Sequence, residues 1–156
     1  MADHVVDTNV LIVASAAEGA ASGYPAAGVS VGAAEIEKVF GWLRDFRDDP
    51  TRKLVLDERF EIYQEYHNKL SGQHFGLQVI DFKLRECLRQ VPVGYDGNGH
   101  GIVPSALGPV DNSDKKFVAA ALHDPSAIHI VNATDSDWKQ QQQLLQQFGI
   151  TVIELL

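Results

Sequence analysis

Acidic residues stand where several predicted elements of this chain begin or end. Asp7 follows the first predicted strand, and Asp114 opens a predicted helix. Asp135 and Asp137 follow a later strand, and Glu65 lies inside a helix at the border of its apolar face. In an open parallel sheet, ligands bind outside the carboxyl ends of the strands. We therefore expect these carboxylates to converge at one edge of a sheet.

Converging carboxylates repel one another, and the repulsion raises their pKa values unless a cation shares the site. Mg²⁺ and Mn²⁺ prefer oxygen ligands and are commonly held by one or two carboxylates together with substrate phosphates. Such an ion lowers the pKa of a bound water and offsets the negative charge that develops during attack on a phosphodiester. A group of acids with neither His nor Cys therefore predicts a hydrolase of phosphodiester bonds, with Mg²⁺ or Mn²⁺ as its cofactor.

Helix capping is the alternative explanation for three of these acids. Asp is favoured before the first turn of a helix, because its carboxylate accepts backbone N–H groups and the helix dipole favours negative charge there. Asp7, Asp114 and Asp135 each fit this interpretation when taken singly. Glu65 does not fit helix capping. The alternative for Glu65 is that it is an ordinary half-exposed residue of the helix, one turn after Glu61, without a role in a site.

Hydrophobic periodicity predicts strands and helices in alternation. Strands are predicted at 4–6, 53–56, 91–93, 128–131 and 150–155, and helices at 10–14, 33–48, 57–70, 77–88, 113–124 and 137–148. Two stretches rich in glycine, 15–32 and 92–112, are predicted to be loops. Strands that alternate with helices form a parallel sheet with helices on both faces.

Length and charge limit the classes of protein. The chain has 156 residues, which suits a single domain over 1–156, and its 13 basic and 21 acidic residues give a net charge of −8. Proteins that coat nucleic acid through bulk charge show the opposite balance, but an enzyme that contacts nucleic acid locally does not need it. The longest apolar stretch, 10–17, is too short to span a membrane, and no basic leader precedes it. We therefore expect a cytoplasmic protein without membrane partners.

Four segments carry a joint likeness to a known family. They are VVDTNVLI at 5–12, the helix at 57–70 with Leu56 and Asp57 at its start and Glu65 and Tyr66 within it, DNSDKKFVAAA at 111–121, and NATDSDW at 132–138. In this order the segments resemble the PIN domain nucleases, and the likeness runs from residue 4 to the carboxyl terminus. The resemblance implies a three-layer α/β/α sandwich with a central parallel sheet of four to five strands. It also implies a Mg²⁺- or Mn²⁺-dependent endonuclease that usually cuts RNA.

The resemblance assigns roles to single residues. The acids that match the catalytic, metal-binding positions are Asp7, Glu65, Asp114 and Asp135, and Asp137 matches an accessory metal-binding acid. Asn9 matches the polar residue that supports the first acid, and Thr134 stands beside the last acid as a second supporting residue. A shifted register would put Glu61 in place of Glu65, or Asp111 in place of Asp114.

Basic residues offer a local path for a phosphate backbone despite the acidic balance. The candidates for nucleic-acid contact are Lys83, Arg85, Arg89, Lys115 and Lys116, although a solvated face would explain them equally well. The expected substrate is RNA, with DNA as the alternative, and we also consider a homodimer.

Three other functions stay open. One is a catalytically silent PIN-fold binding module whose acids are only helix caps. Another is a toxin nuclease that an antitoxin-like protein holds in check. The third is a flavodoxin-like nucleotide-binding domain, against which the lack of a phosphate-binding loop counts.

Overall fold

Five parallel strands form a sheet in the computed structural model, which describes residues 2–18 and 31–156. The strands are β1 (Asp3–Val6), β2 (Leu54–Asp57), β3 (Leu88–Val91), β4 (Ile128–Asn132) and β5 (Thr151–Glu154). They lie in the order β3-β2-β1-β4-β5. The helices of the described ranges are α1 (Thr8–Ser15), α2 (Ala33–Asp48), α3 (Glu61–Lys69), α4 (Phe75–Glu86), α5 (Lys115–Leu122), α6 (Ser136–Gln140) and α7 (Gln142–Gln147). This architecture confirms the predicted three-layer α/β/α sandwich with a central parallel sheet.

Helices cover both faces of the sheet. The chain moves outward from β1 to β2 and β3, and right-handed crossovers place these connections on one face. It then crosses to β4 on the other side of β1 and ends at β5, so the later connections cover the opposite face. Within the layers, α1, α2 and α4 pack against one another, and α5 packs against β1, β2 and β4. No helix in the part of the chain that the structure describes is long and apolar enough to cross a membrane.

The direction of strand addition reverses between β1 and β4. A reversal of this kind opens a crevice at the carboxyl ends of the two strands, which is where ligands bind in open α/β sheets. Val6 and Val131 pair at these ends, and Asp7 and Asn132 follow them in the chain. Polar side chains therefore begin where the crevice opens.

The third strand differs from its prediction. The helix predicted at 77–88 ends at Glu86, because the chain leaves the helical conformation there and Leu88 begins β3. Leu88 pairs with Leu54 of β2, so the strand covers Leu88–Val91 and the predicted position 91–93 is wrong.

The remaining elements follow their predictions with one further exception. The helix predicted at 33–48 is confirmed as α2. The helix predicted at 137–148 is two short helices, α6 and α7, divided at Gln141. Most of the predicted loop at 15–32 lies outside the described residues.

Asp57 fixes the start of α3 from the end of β2. Its carboxylate is fully buried and accepts the backbone N–H of Glu61 at 2.9 Å and that of Ile62 at 3.0 Å. The Asp57 carboxylate therefore binds the first N–H groups of α3 as predicted, but Asp57 ends β2 and the helix begins only at Glu61, after Phe60 at the N-cap position. Further along α3, the buried hydroxyl of Tyr66 donates a hydrogen bond to the carbonyl oxygen of Val6 at the end of β1. The helix is therefore anchored over the carboxyl edge of both strands.

The segment 92–112 is largely irregular, as predicted, and contains a single 3-10 turn at Ser105–Leu107. Tyr95 and Gly101 form an isolated antiparallel bridge within it. A Cβ atom on Gly101 would lie 2.7 Å from the Cα of Lys116, so this approach of two backbones requires glycine. The loop is therefore packed on the first turn of α5.

Candidate metal centre

Asp7, Asp114 and Asp135 come together at the crevice between β1 and β4. Each offers a carboxylate oxygen, and these atoms all lie within 4.8 Å of one another. Asp7 follows β1, Asp135 follows β4 and Asp114 precedes α5, so three distant segments of the chain supply them. Asp7 and Asp114 are buried, with 6% and 8% of their surface exposed, and Asp135 is half-buried. We call these three residues the Asp triad.

Capping does not account for the Asp triad. Asp7 and Asp114 precede α1 and α5, but neither side chain makes a capping hydrogen bond. Asp135 does cap α6, since its Oδ1 accepts the backbone N–H of Asp137 at 2.9 Å. Helix capping therefore explains the position of Asp135. It does not explain why Asp7 and Asp114 are buried beside Asp135.

Burial and mutual repulsion make ionisation of the Asp triad costly. Burial is the main cause that raises the pKa of Asp114 to about 8, and the charges of Asp7 and Asp135 add to it. Burial likewise raises the pKa of Asp7 to about 6. A divalent cation would remove this repulsion, and carboxylate oxygens are the ligands that Mg²⁺ and Mn²⁺ prefer. The donor set of the Asp triad therefore fits a hard divalent metal.

Trp138 is a residue of the site that sequence reasoning missed. Its indole Nε1–H donates a hydrogen bond to Oδ2 of Asp7, and its side chain is almost fully buried. The bond lowers the pKa of Asp7 and so opposes the effect of burial. A buried indole N–H usually finds a partner, so a Trp three residues after Asp135 was a usable signal. Packing in the core would account for the ring of Trp138 but not for the hydrogen bond that its N–H makes.

Two asparagines hold the turn that carries Asp135. Asn132 is fully buried, and its Oδ1 accepts the backbone N–H of Asp135 at 3.1 Å and the Nδ2–H of Asn9 at 3.0 Å. Its Nδ2 donates to the carbonyl oxygen of Asp135 at 2.9 Å and to Oε2 of Glu154 at 2.6 Å. Oδ1 of Asn9 accepts the backbone N–H of Thr134 at 3.3 Å. Asn9 and Thr134 thus lie in one network with Asn132, which the sequence did not single out.

Glu65 and Asp137 lie near the Asp triad without belonging to it. Their oxygens are not among the ligand atoms that approach within 4.8 Å of one another in the described residues. Their charges still reach the site, because Glu65 raises the pKa of Asp7 and Asp137 raises the pKa of Asp114. The five predicted acids therefore gather at one mouth, with three of them at ligand distance.

The alternative register is not supported. Asp111 is exposed, and its carboxylate accepts the backbone N–H of Ser113 at 2.9 Å and the hydroxyl of Ser113 at 2.8 Å. Asp114, three residues later, is the acid that joins the Asp triad. Glu61 lies 3.9 Å from the guanidinium of Arg59.

Lys83 is buried and cannot contact nucleic acid, so that prediction is wrong. Its Nζ donates to the carbonyl oxygens of Asp49 at 2.8 Å and Arg52 at 2.7 Å, and it lies 4.4 Å from the centre of the Phe46 ring. A lysine stem can lie along an apolar surface while its ammonium group finds polar partners. Here those partners are backbone carbonyls inside the protein rather than water.

The other basic candidates lie at two ends of the sheet. Arg89 makes ion pairs with Asp3 at 3.0 Å and Asp124 at 2.9 Å, which places its guanidinium near the amino end of β1, away from the Asp triad. Arg85 is exposed in the last turn of α4, which precedes the start of β3. Of the five candidates, lysines 115 and 116 lie nearest in sequence to an acid of the Asp triad.

Comparison of the chain with protein-family models, with curated proteins and with solved structures gave no significant match. The fold and the site therefore define the class of protein by geometry. It is a three-layer α/β/α protein with an acidic crevice at the point where its strand order reverses.

Proposed function

We propose that this chain is a PIN-like endonuclease that hydrolyses phosphodiester bonds with Mg²⁺ or Mn²⁺, and that its substrate is RNA. The observation that carries the proposal is the convergence of Asp7, Asp114 and Asp135 within 4.8 Å at the crevice. Asp7 and Asp114 are buried and make no side-chain capping hydrogen bond, so helix capping does not explain why they lie together. Buried like charges are costly, and a bound dication is the simplest compensation.

The Asp triad would hold the metal, and residues around it would keep the ligands in place. When bound, the ion supplies a water of lowered pKa and offsets the charge that develops on the phosphate. Trp138 orients one oxygen of Asp7 through its N–H. Asn132 fixes the turn before Asp135 through three hydrogen bonds to Asn9 and to the backbone of Asp135. These contacts limit the rearrangement that metal binding requires.

The substrate proposal rests on local charge. The chain as a whole has a net charge of −8, so contact with nucleic acid has to be confined to a small basic surface. Lys115 and Lys116 open α5 directly after Asp114 and supply such a surface. Phosphate contacts of this kind position a strand without reading its sequence.

Cleavage of labelled RNA by the purified full chain tests the proposal. We expect a single-stranded RNA or a hairpin RNA to be cut in Mn²⁺ and to stay intact in EDTA. Asp7→Asn and Asp114→Asn should each lower the rate by at least about two orders of magnitude, because each removes a metal ligand. Asp111→Asn is the matched control and should keep the wild-type rate. Cleavage that persists in EDTA or in Asp114→Asn would overturn the proposal.

Other outcomes of these measurements would assign a different function. Mn²⁺ binding without cleavage of RNA would favour DNA as the substrate if DNA is cut, and a silent binding module if it is not. Growth arrest on expression that Asp7→Asn abolishes would assign the same chemistry to a toxin restrained by an antitoxin-like protein.

A further inference from the structure

An ion pair lies directly beside the Asp triad. Nζ of Lys116 lies 2.8 Å from Oε1 of Glu65, and the other carboxylate oxygen accepts a hydrogen bond from the hydroxyl of Thr8. Both oxygens of Glu65 therefore already have a partner. Lys116 stands two residues after Asp114, and Thr8 directly follows Asp7. The pair thus joins two of the segments that supply the Asp triad.

This pair is held more firmly than an ordinary surface ion pair. The side chains of Lys116 and Glu65 are 14% and 22% exposed. Nζ of Lys116 also donates to the carbonyl oxygen of Ser113 at 3.0 Å, and Gly101 packs against the Lys116 backbone. An ammonium group has three donors, and these two acceptors in the described residues use two of them. The third N–H has no hydrogen-bond acceptor among the described residues, and the nearest aromatic ring, that of Phe117, has its centre 5.3 Å from Nζ.

We propose that Lys116 binds a phosphate oxygen of the substrate beside the metal centre, and that Glu65 is a positioning residue that holds Lys116 there rather than a metal ligand. The inference rests on the proposed nuclease function. It divides the predicted acids into two groups, since the Asp triad binds the metal and Glu65 orients a cation.

The electrostatics of the crevice favour this division. A phosphodiester carries its negative charge on oxygens that must approach an acidic mouth, so a fixed positive charge at that mouth lowers the cost of approach. Lysine binds phosphate as a point charge and does not need bidentate geometry. Without Glu65, the flexible stem of Lys116 would have to be ordered by the substrate itself, which weakens binding.

Mn²⁺ affinity separates a metal ligand from a positioning residue. Loss of a residue that hydrogen-bonds to a metal ligand typically weakens metal binding by roughly 10- to 100-fold. Asp114→Asn removes a ligand itself, so in isothermal titration calorimetry it should weaken Mn²⁺ binding by more than this. Glu65→Gln should weaken it by no more than about threefold, because the charge of Glu65 is already matched by Lys116. A loss in Glu65→Gln as large as in Asp114→Asn would overturn the proposal and make Glu65 a ligand.

The salt dependence of RNA binding tests the phosphate contact without any metal. Binding of a short fluorescein-labelled single-stranded RNA is followed by anisotropy in EDTA at increasing KCl. The slope of log affinity against log salt should be smaller by about 0.7 in Lys116→Met, as expected for one lost contact to a single strand. Lys116→Arg keeps the charge and should restore most of the slope, and Arg85→Met, far from the crevice, should keep it. An unchanged slope in Lys116→Met would overturn the contact.

Failure of this inference and failure of the proposed function give different results. Wild-type protein that does not bind Mn²⁺ overturns the metal centre and the nuclease function together. Wild-type protein that binds Mn²⁺ and cuts RNA, while Lys116→Met keeps the wild-type slope, overturns the role of Lys116 alone. In the cleavage assay, Glu65→Gln should raise KM more than it lowers kcat, because it loosens the residue that binds the substrate.

Discussion

Replacement of Asp114 by Asn should make the metal-free protein more stable at neutral pH. This is the opposite of the usual result, since replacement of a buried polar side chain generally lowers the free energy of unfolding. Asp114 is 8% exposed, and burial together with the charges of Asp7 and Asp135 raises its pKa from 3.8 to about 8. Between these two values the folded protein keeps a proton on Asp114 that the unfolded chain releases. The free energy of unfolding therefore falls as the pH rises through this window.

The size of the effect follows from one proton. A single proton bound only in the folded state changes the free energy of unfolding by about 1.4 kcal/mol per pH unit. From about pH 5 to about pH 7, both inside the window, the change amounts to about 3 kcal/mol. Asn has the size of Asp but no charge to bury, so Asp114→Asn should gain about this much relative to wild type. Asp7 also titrates in this window, with a pKa of about 6, and it is present in both proteins. The difference between the two profiles therefore reports the carboxyl of Asp114 together with its repulsion of Asp7.

Urea unfolding in EDTA, followed by far-UV circular dichroism at several pH values, measures this difference. Asp111→Asn is the matched control. Hydrogen bonds from Ser113 lower the pKa of Asp111, so this carboxyl is ionised in both the folded and the unfolded chain between about pH 5 and about pH 7. Its charge raises the pKa of Asp114 less than the charges of Asp7 and Asp135 do, so the profile of Asp111→Asn should run nearly parallel to that of wild type. Mn²⁺ at a thousand times its Kd should reverse the order of stability, since it adds about 4.1 kcal/mol to a protein that binds it, which is more than Asp114→Asn gains.

Two results would refute the reasoning. Parallel pH profiles of wild type and Asp114→Asn in EDTA would mean that the Asp114 carboxyl ionises in the folded protein as it does in the unfolded chain. Equal stabilisation of the two proteins by Mn²⁺ would mean that Asp114 is not a ligand.

Three further predictions follow from single contacts. Trp138→Phe removes the N–H donor to Asp7 and should weaken Mn²⁺ binding about 10- to 100-fold in calorimetry, with an unchanged circular dichroism spectrum. Lys83→Met removes two hydrogen bonds donated by a charged group to the carbonyls of Asp49 and Arg52. It should lower the free energy of unfolding by about 2 to 4 kcal/mol without changing RNA affinity, whereas Arg85→Met should change neither. Burial is the main cause that lowers the pKa of His4 from 6.5 to about 4. Stability should therefore fall as the pH drops from 6.5 towards 4, and His4→Phe should flatten this acid limb in urea unfolding.

Helix α2 could be predicted because it depends on a local pattern. The position of strand β3 could not, because it depends on pairing with a distant strand. Helix α2 follows from apolar residues spaced three and four apart and from Pro50 beyond its end. Strand β3 is predicted too far along the chain, at 91–93, because Leu84, Cys87 and Leu88 continue the helical spacing of α4. The chain leaves that helix in order to pair with β2, and no local pattern records such a contact.

The acids of the site were predictable for a related reason. Parallel strands end at a common edge, so carboxylates placed at those ends converge whatever the detailed packing. The residues that hold them depend instead on partners far along the chain, since 131 positions separate Trp138 from Asp7. Lys83 was misplaced in the same way, because its sequence position on α4 gives no sign of the two carbonyls that bind it.

Glu65 shows that the number of acids at the crevice does not by itself identify the metal ligands. Repulsion predicts that every acid at the crevice needs a positive partner, but it does not specify which partner. Helices α3 and α5 are in contact, so Lys116 reaches Glu65 and neutralises it within the protein. Among the described residues, the Asp triad makes no ion pair with a lysine, arginine or histidine, and the pKa values of Asp7 and Asp114 stay raised. The negative charge that the protein leaves uncompensated, rather than the number of acids, therefore indicates where a metal would bind.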